Sequence, residues 1–249
     1  MLTFSLDSAG KTAGVALVNG DELIYESYLS AGLTHSETLL ELVNDAFSAT
    51  GFTPKNVDLF SVALGPGSFT GLRIGLALLK GLALPFGTLC AGVSTLEALA
   101  EGCISKGIIL SALDARRGEV YYAIFEKTAD GLQRLTDDTA DKAEIALAKA
   151  EEFGKPITFI GDGAQLCYDL MVVKGDNILY PKDQIYGRAS AVARVGEKMF
   201  SQGKAVDANL LSPVYHRFSQ AERTRKERLE KEELEKSNLA ENEKNSLTV

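Results

Sequence analysis

The sequence predicts an α/β fold with mixed sheets and a duplicated core unit, and three observations predict it. Apolar runs of strand length alternate with longer amphipathic segments of helical period. Residues 2–17, LTFSLDSAGKTAGVAL, and residues 109–123, ILSALDARRGEVYYA, share one pattern: an apolar run ending in Leu-Asp, a short turn, and a second apolar run. Each half then continues through a helix-like segment into another strand.

The elements follow in chain order. TFSLD and AGVALV read as strands joined by the turn SAGK, and Asn19-Gly20 marks the hairpin into a third strand, ELIYESYL. Thr34 and Glu37 stand at capping-box spacing before a helix carrying Leu39, Leu40, Val43, Ala46 and Phe47. A strand over 57–63 leads to LGPGSFTGLRIG at 64–75, then a helix over 70–83 and a strand over 88–93. Ser94 and Glu97 repeat the capping-box spacing before a short helix. In the second half, a helix is expected over 141–153, then a strand, ITFIGDGA, and a helix, ASAVARVGEKMF. Domain boundaries are expected at 1–104, 105–220 and 221–249, with the last helix free to return to the first domain. The third segment is a charged tail whose only large apolar residues over 222–244, Leu229, Leu234 and Leu239, lie five apart. Such spacing builds no stripe and suits a solvated helix or a disordered tail.

Composition narrows the function classes. The chain has 249 residues, 45% hydrophobic and 24% charged, with a net charge of −8. That acidity disfavours a chain that grips nucleic acid alone. Cys90, Cys103 and Cys167 show no CxxC spacing, which fits a reducing cytoplasm. MLTFSLDSAG has no basic n-region, so no signal peptide is expected. The apolar stretch 74–93 contains Lys80 and Pro85, so it reads as a buried helix and a strand rather than a membrane span.

The candidate chemistry is sparse. A hairpin with Asp at its mouth, present in both halves, suggests the actin, Hsp70 and sugar-kinase architecture (ASKHA, ribonuclease H-like), in two domains. There the paired turns hold ATP phosphates through close backbone N–H groups. Asp7, Ser8, Gly10 and Lys11 suit such a turn, and Asp114 is the equivalent aspartate of the second half. Arg116 and Arg117 stand where bare backbone would be wanted, so the second turn reads more simply as a surface hairpin, and the phosphate site as weak or vestigial. GDGA at 161–164 is either an adenosine-type turn or a strand-ending turn. His35 and His216 form no HxxxH pair, and no metal site is expected; His35 reads as an exposed turn residue. Ser68 lies in a strand-to-helix turn but lacks the G-x-S-x-G pattern of a nucleophile elbow, so a helix cap by Ser68 or Thr70 accounts for it better.

Wound at 3.6 residues per turn, the helix over 70–83 has three faces: Gly71, Gly75, Leu78 and Leu82; Leu72, Leu76, Leu79 and Ala83; Thr70, Ile74, Ala77 and Gly81. A helix so apolar is expected to be buried on most sides, with Gly71 and Gly75 admitting another helix, from its own domain or from a partner.

LGPGSFTGLRIG resembles the signature of the bacterial TsaB (YeaZ) family almost letter for letter. LDSAGKTAGVAL, THSETLL, STLEALA, LDARRGEVYYAIF, FIGDGA and SPVYHR agree with it, so the resemblance spans residues 1–217. One departure is His216, where the family usually has Leu. The resemblance implies the two-domain architecture above and a chain that is not catalytic alone. It implies an accessory subunit that supports the catalytic paralogue TsaD in forming N6-threonylcarbamoyladenosine beside the anticodon of tRNAs reading codons that start with A. The implied partners are TsaD, the ATPase TsaE and a second copy of the chain, with tRNA met only through the complex. No intrinsic cofactor is implied, and ATP or ADP would sit at the heteromeric complex. The partner surface is expected on the first-domain helices, at Leu39, Val43, Phe69, Gly71, Leu72, Arg73, Gly75, Leu78 and Leu79. The rival reading is a free-standing ATPase or kinase of the actin/Hsp70/sugar-kinase class.

Overall fold

The computed structural model describes residues 1–154 and 156–216; the charged tail over 221–249 lies outside the described residues. The first half runs β1 (Leu2–Asp7), β2 (Ala13–Asn19), β3 (Glu22–Leu29), α1 (His35–Thr50), β4 (Leu59–Gly65), α2 (Phe69–Ala83), β5 (Cys90–Ser94) and α3 (Thr95–Gly102). The second runs β6 (Gly107–Arg116), β7 (Glu119–Thr128), β8 (Gly131–Arg134), β9 (Thr139–Lys142), α4 (Ala143–Glu151), β10 (Ile157–Ile160), α5 (Ala164–Asp169), β11 (Ile178–Leu179) and α6 (Ala189–Ser201).

Among the described residues two mixed sheets form, with strand orders β3-β2-β1-β4-β5 and β8-β7-β6-β10-β11. The hairpins β1–β2 and β6–β7 are antiparallel. β4 then lies parallel to β1 and β5 to β4, as β10 lies parallel to β6 and β11 to β10. The two halves therefore repeat one topology, which is the duplication expected from the two Leu-Asp hairpins. β9 has no counterpart in the first sheet and pairs with β7.

Alternation along β1 builds two interfaces. Leu2, Phe4 and Leu6 join Leu39, Val43 and Leu79 of α1 and α2 in one core cluster. On the other face, Ser5 Oγ donates to the Ala189 carbonyl and Thr3 Oγ1 to Glu197 Oε1, both on α6. α6 thus follows the second sheet in sequence but packs on the first. Arg188 reinforces this with a hydrogen bond to Glu26 on β3. α3 lies between the sheets: Leu96 and Leu99 pack with Ile109 and Phe125, while the helix also contacts α6. α4 and α5 cover the far face of the second sheet.

Caps follow the sequence with one change. Glu37 reaches back to the Thr34 N–H at 3.0 Å, the returning half of a capping box. At α3, Ser94 Oγ accepts the Glu97 N–H at 3.2 Å, but the Glu97 carboxylate does not return the bond. It pairs instead with Arg134 at 2.9 Å, because Arg134 on β8 stands beside the N-terminus of α3.

Candidate functional site

The glycine-rich stretch 64–75 forms the end of β4, a turn and the start of α2. Gly65 has φ of 125° and lies under the Val214 carbonyl, where a side chain would not fit. Ser68 is the N-cap of α2, its Oγ accepting the Gly71 N–H at 3.2 Å. An added Cβ at Gly67 would overlap the Ala9 carbonyl, at Gly71 the Ser8 carbonyl, and at Gly75 Ser8 Oγ. The three glycines let α2 settle onto the β1–β2 turn. At Gly71 the start of α1 also comes close, through His35, whereas Gly75 meets only β1 and the hairpin turn, so the expectation of a neighbouring helix is corrected for Gly75.

That contact occupies the first hairpin turn. Ser8 Oγ donates to the Gly71 carbonyl at 2.9 Å, the Ser68 N–H to the Ala9 carbonyl at 2.7 Å, and the Ala9 N–H to Asp7 Oδ1 at 2.9 Å. His35 is half-buried rather than exposed, its Nε2 3.0 Å from the Gly10 carbonyl. Gly187 covers Asp7 so closely that a Cβ there would overlap Oδ2. Burial pushes the Asp7 carboxyl above its usual range, with the Ala9 N–H and His35 partly offsetting the rise. Lys11 stays exposed at the mouth of the turn.

The second hairpin turn is built differently. Arg116 and Arg117 have φ of 70° and 59°, conformations that non-glycine residues seldom adopt. Asp114 accepts the Arg116 N–H at 2.7 Å and pairs with its guanidinium at 3.3 Å. Gly161 and Gly163, after β10, approach the backbone of Ala112 and of Leu113–Asp114, and Asp162 Oδ1 accepts the Asp114 N–H. GDGA is therefore a strand-ending turn locked onto the hairpin. At the carboxyl ends of β4 and β5 a cleft of about 370 Å³ opens between Gly65, Gly92, Arg134, Asp137, Asp138 and His216. Among the described residues no three of His, Cys, Asp and Glu come together as a metal-holding group. Desolvation pushes the Cys90 thiol up to about 12, too high for a nucleophile at neutral pH.

The outer face of α2 is the most distinctive surface. Leu72, Leu76, Leu79 and Ala83 point into the core, as do Leu39 and Val43 of α1. These side chains are not available to a partner, and the expectation that Leu39, Val43, Leu72 and Leu79 form the contact surface is corrected on that ground. Thr70, Arg73, Ala77 and Gly81 face outward, flanked by half-buried Phe69, Ile74 and Leu78. The helix is therefore buried or half-buried on most sides, as expected, and leaves open only this narrow strip. α1 lies beside it and adds Leu40, 52% exposed, together with Glu37, Glu41 and Asp45. Phe69 stacks on Tyr215, which the sequence pattern does not assign to the surface; its only signal there is the SPVYHR segment.

Two mixed sheets with duplicated hairpins, and one glycine-packed helix on the first hairpin turn, define a protein of duplicated α/β architecture. Comparison with known proteins supplies the family. A family model described as "TsaD: tRNA N6-adenosine threonylcarbamoyltransferase" matches residues 30–223. The chain is 30% identical to "tRNA threonylcarbamoyladenosine biosynthesis protein TsaB" of Escherichia coli (strain K12), covering 87% of this chain and 95% of that protein. It is also 30% identical to the TsaB protein of Bacillus subtilis (strain 168), over 89% of this chain and 96% of that one. A solved structure of YeaZ from Pseudomonas aeruginosa superposes with a TM-score of 0.71 at 22% identity, covering 86% of this chain and 99% of that one, which bears on the fold. The chain belongs to the TsaB (YeaZ) family of tRNA threonylcarbamoyladenosine biosynthesis proteins.

Proposed function

We propose that this chain is a non-catalytic accessory subunit that docks on a TsaD-class catalytic paralogue through the outer face of α1 and α2. The observation that carries the reading is the open strip of α2, where exposed Ala77 and Gly81 are flanked by half-buried Ile74 and Leu78 on a helix whose other side is core. Such a strip on a folded domain is the usual mark of a protein partner. The acidic row on α1 and the net charge of −8 fit tRNA reached through the complex rather than through this chain alone. A TsaE-class ATPase and a second copy of this chain are the further partners of the proposal, with ATP or ADP bound at the heteromeric complex.

The rival ATPase or kinase reading is disfavoured by the first hairpin turn. The Ser8 hydroxyl and the Ala9 carbonyl are engaged by α2 and its cap, the Ala9 N–H by Asp7, and Gly187 covers Asp7, where an ATPase would place magnesium or a nucleophilic water. Threonylcarbamoylation of tRNA by the TsaD-class paralogue, assayed with and without this chain, tests the proposal. Formation of the modified base is expected to depend on the chain. Full activity in its absence overturns the accessory role, and steady ATP turnover by the isolated chain supports the rival.

A further inference from the structure

We propose that the segment 204–216, which follows α6, is part of the docking surface, and that Tyr215 positions Arg73 to pair with a carboxylate of the partner protein. The proposal rests on the docking reading above. Val206 pairs with Cys90 at the edge of the first sheet, and the Val214 N–H donates to the Leu64 carbonyl at 2.8 Å. The segment thus crosses the end of β4 and delivers Tyr215 onto the first turn of α2. There the Tyr215 and Phe69 rings stack with centroids 4.2 Å apart and planes 2° apart. Arg73 Nε donates to the Tyr215 hydroxyl at 2.8 Å, and the guanidinium carbon lies 5.5 Å from the Tyr215 centroid and 5.9 Å from that of Phe69.

Arg73 is exposed, yet its side chain is held at three points. Among the described residues no carboxylate pairs with its two terminal nitrogens. An arginine fixed through Nε presents those nitrogens as a planar fork, which suits a bidentate acceptor. Holding the side chain in advance removes much of the rotamer entropy that binding would otherwise cost. Tyr and Arg are also the residue types in which binding energy concentrates at interfaces.

Two acceptors fit a fork, a carboxylate and a phosphate. The surroundings favour the carboxylate. Arg73 sits at the end of an apolar strip, as protein contacts require, and Glu37, Glu41 and Asp45 on neighbouring α1 would repel a phosphate backbone.

Titration calorimetry of the full-length chain into its TsaD-class paralogue tests this, with circular dichroism as the folding control. Arg73→Ala is expected to weaken binding about tenfold or more, and Arg73→Lys nearly as much, because a point charge does not replace the fork. Tyr215→Phe keeps the stack and should lose about two- to fivefold; Tyr215→Ala should approach Arg73→Ala and add little to it in the double variant. Both alanine variants should also flatten the salt dependence of binding, which a purely structural loss would not do. Wild-type binding by the Arg73 and Tyr215 variants, with Ala77→Arg defective, overturns this proposal and leaves the docking reading standing. Wild-type binding by all of them, Ala77→Arg included, removes the docking reading and the proposal with it. Retained paralogue binding with weakened tRNA binding to the complex in Arg73→Ala also overturns it, in favour of a phosphate contact.

Discussion

The two halves share a strand order but differ in the helix placed after the strand parallel to each hairpin. After β4 comes a helix of 15 residues, α2; after β10 comes α5, with 6. In the first half the hairpin turn is buried against α2 through Gly67, Gly71 and Gly75. In the second, Gly161 and Gly163 make the approach from the loop itself, and the hairpin tip carries two arginines at positive φ. The same device, glycine where a loop or helix meets the hairpin, serves both halves. Only the first half extends it into a long helix, whose open strip carries Thr70, Arg73, Ala77 and Gly81. The duplicated frame therefore sets the fold, and on the docking proposal the helix grown on one copy sets the surface offered to a partner.

Substitutions can break or sharpen that comparison. Gly75→Leu should be the most damaging, because the side chain would meet Ser8 and Leu6; a loss of about 3 kcal/mol or more in urea unfolding is expected. It is thus a packing lesion and not a clean probe of assembly. Gly67→Ala and Gly163→Ala should each cost about 1–3 kcal/mol, since both meet hairpin backbone. If only one of the pair destabilises, the two halves do not use glycine in the same way.

The next effect tests whether α6 belongs energetically to the first half. Burial acts to raise the Glu26 carboxyl, but hydrogen bonds from Arg188 and Ser190 outweigh it and hold the group below its usual 4.5. Stability from this clasp is present above the unfolded glutamate pKa and is lost as pH falls through the lower folded value. Glu26→Gln should cost about 1 kcal/mol at neutral pH, given that Arg188 is half exposed, and should remove that acid-side loss from the unfolding profile. The smallest effect is a gain: Gly81→Ala on the open face of α2 meets nothing within 4 Å and should stabilise the helix by about 0.5–1 kcal/mol, read as a raised Tm.

Much of the frame is legible in the sequence because it is local. The β1–β2 hairpin, the Thr34–Glu37 cap and the three faces of α2 follow from spacing alone. Which face of α2 meets the core does not, because a helix apolar on every side gives no contrast for its period to register. The partner of Gly71 and Gly75, Ser8, lies more than 60 residues away in the chain, and the stack of Tyr215 on Phe69 joins residues still further apart. Glu97 misleads for the same reason: its capping geometry is local, while the Arg134 that claims it belongs to the second sheet.

The central claim is that docking belongs to the first half, on the open face of α2. Its most direct test compares Ala77→Arg with Val172→Arg, since Val172 is 98% exposed in the second half, and reads assembly with the TsaD-class paralogue by sedimentation velocity. The expected result is loss of the heteromer with Ala77→Arg and wild-type assembly with Val172→Arg, both variants keeping the parent Tm. Normal assembly of Ala77→Arg would contradict the claim.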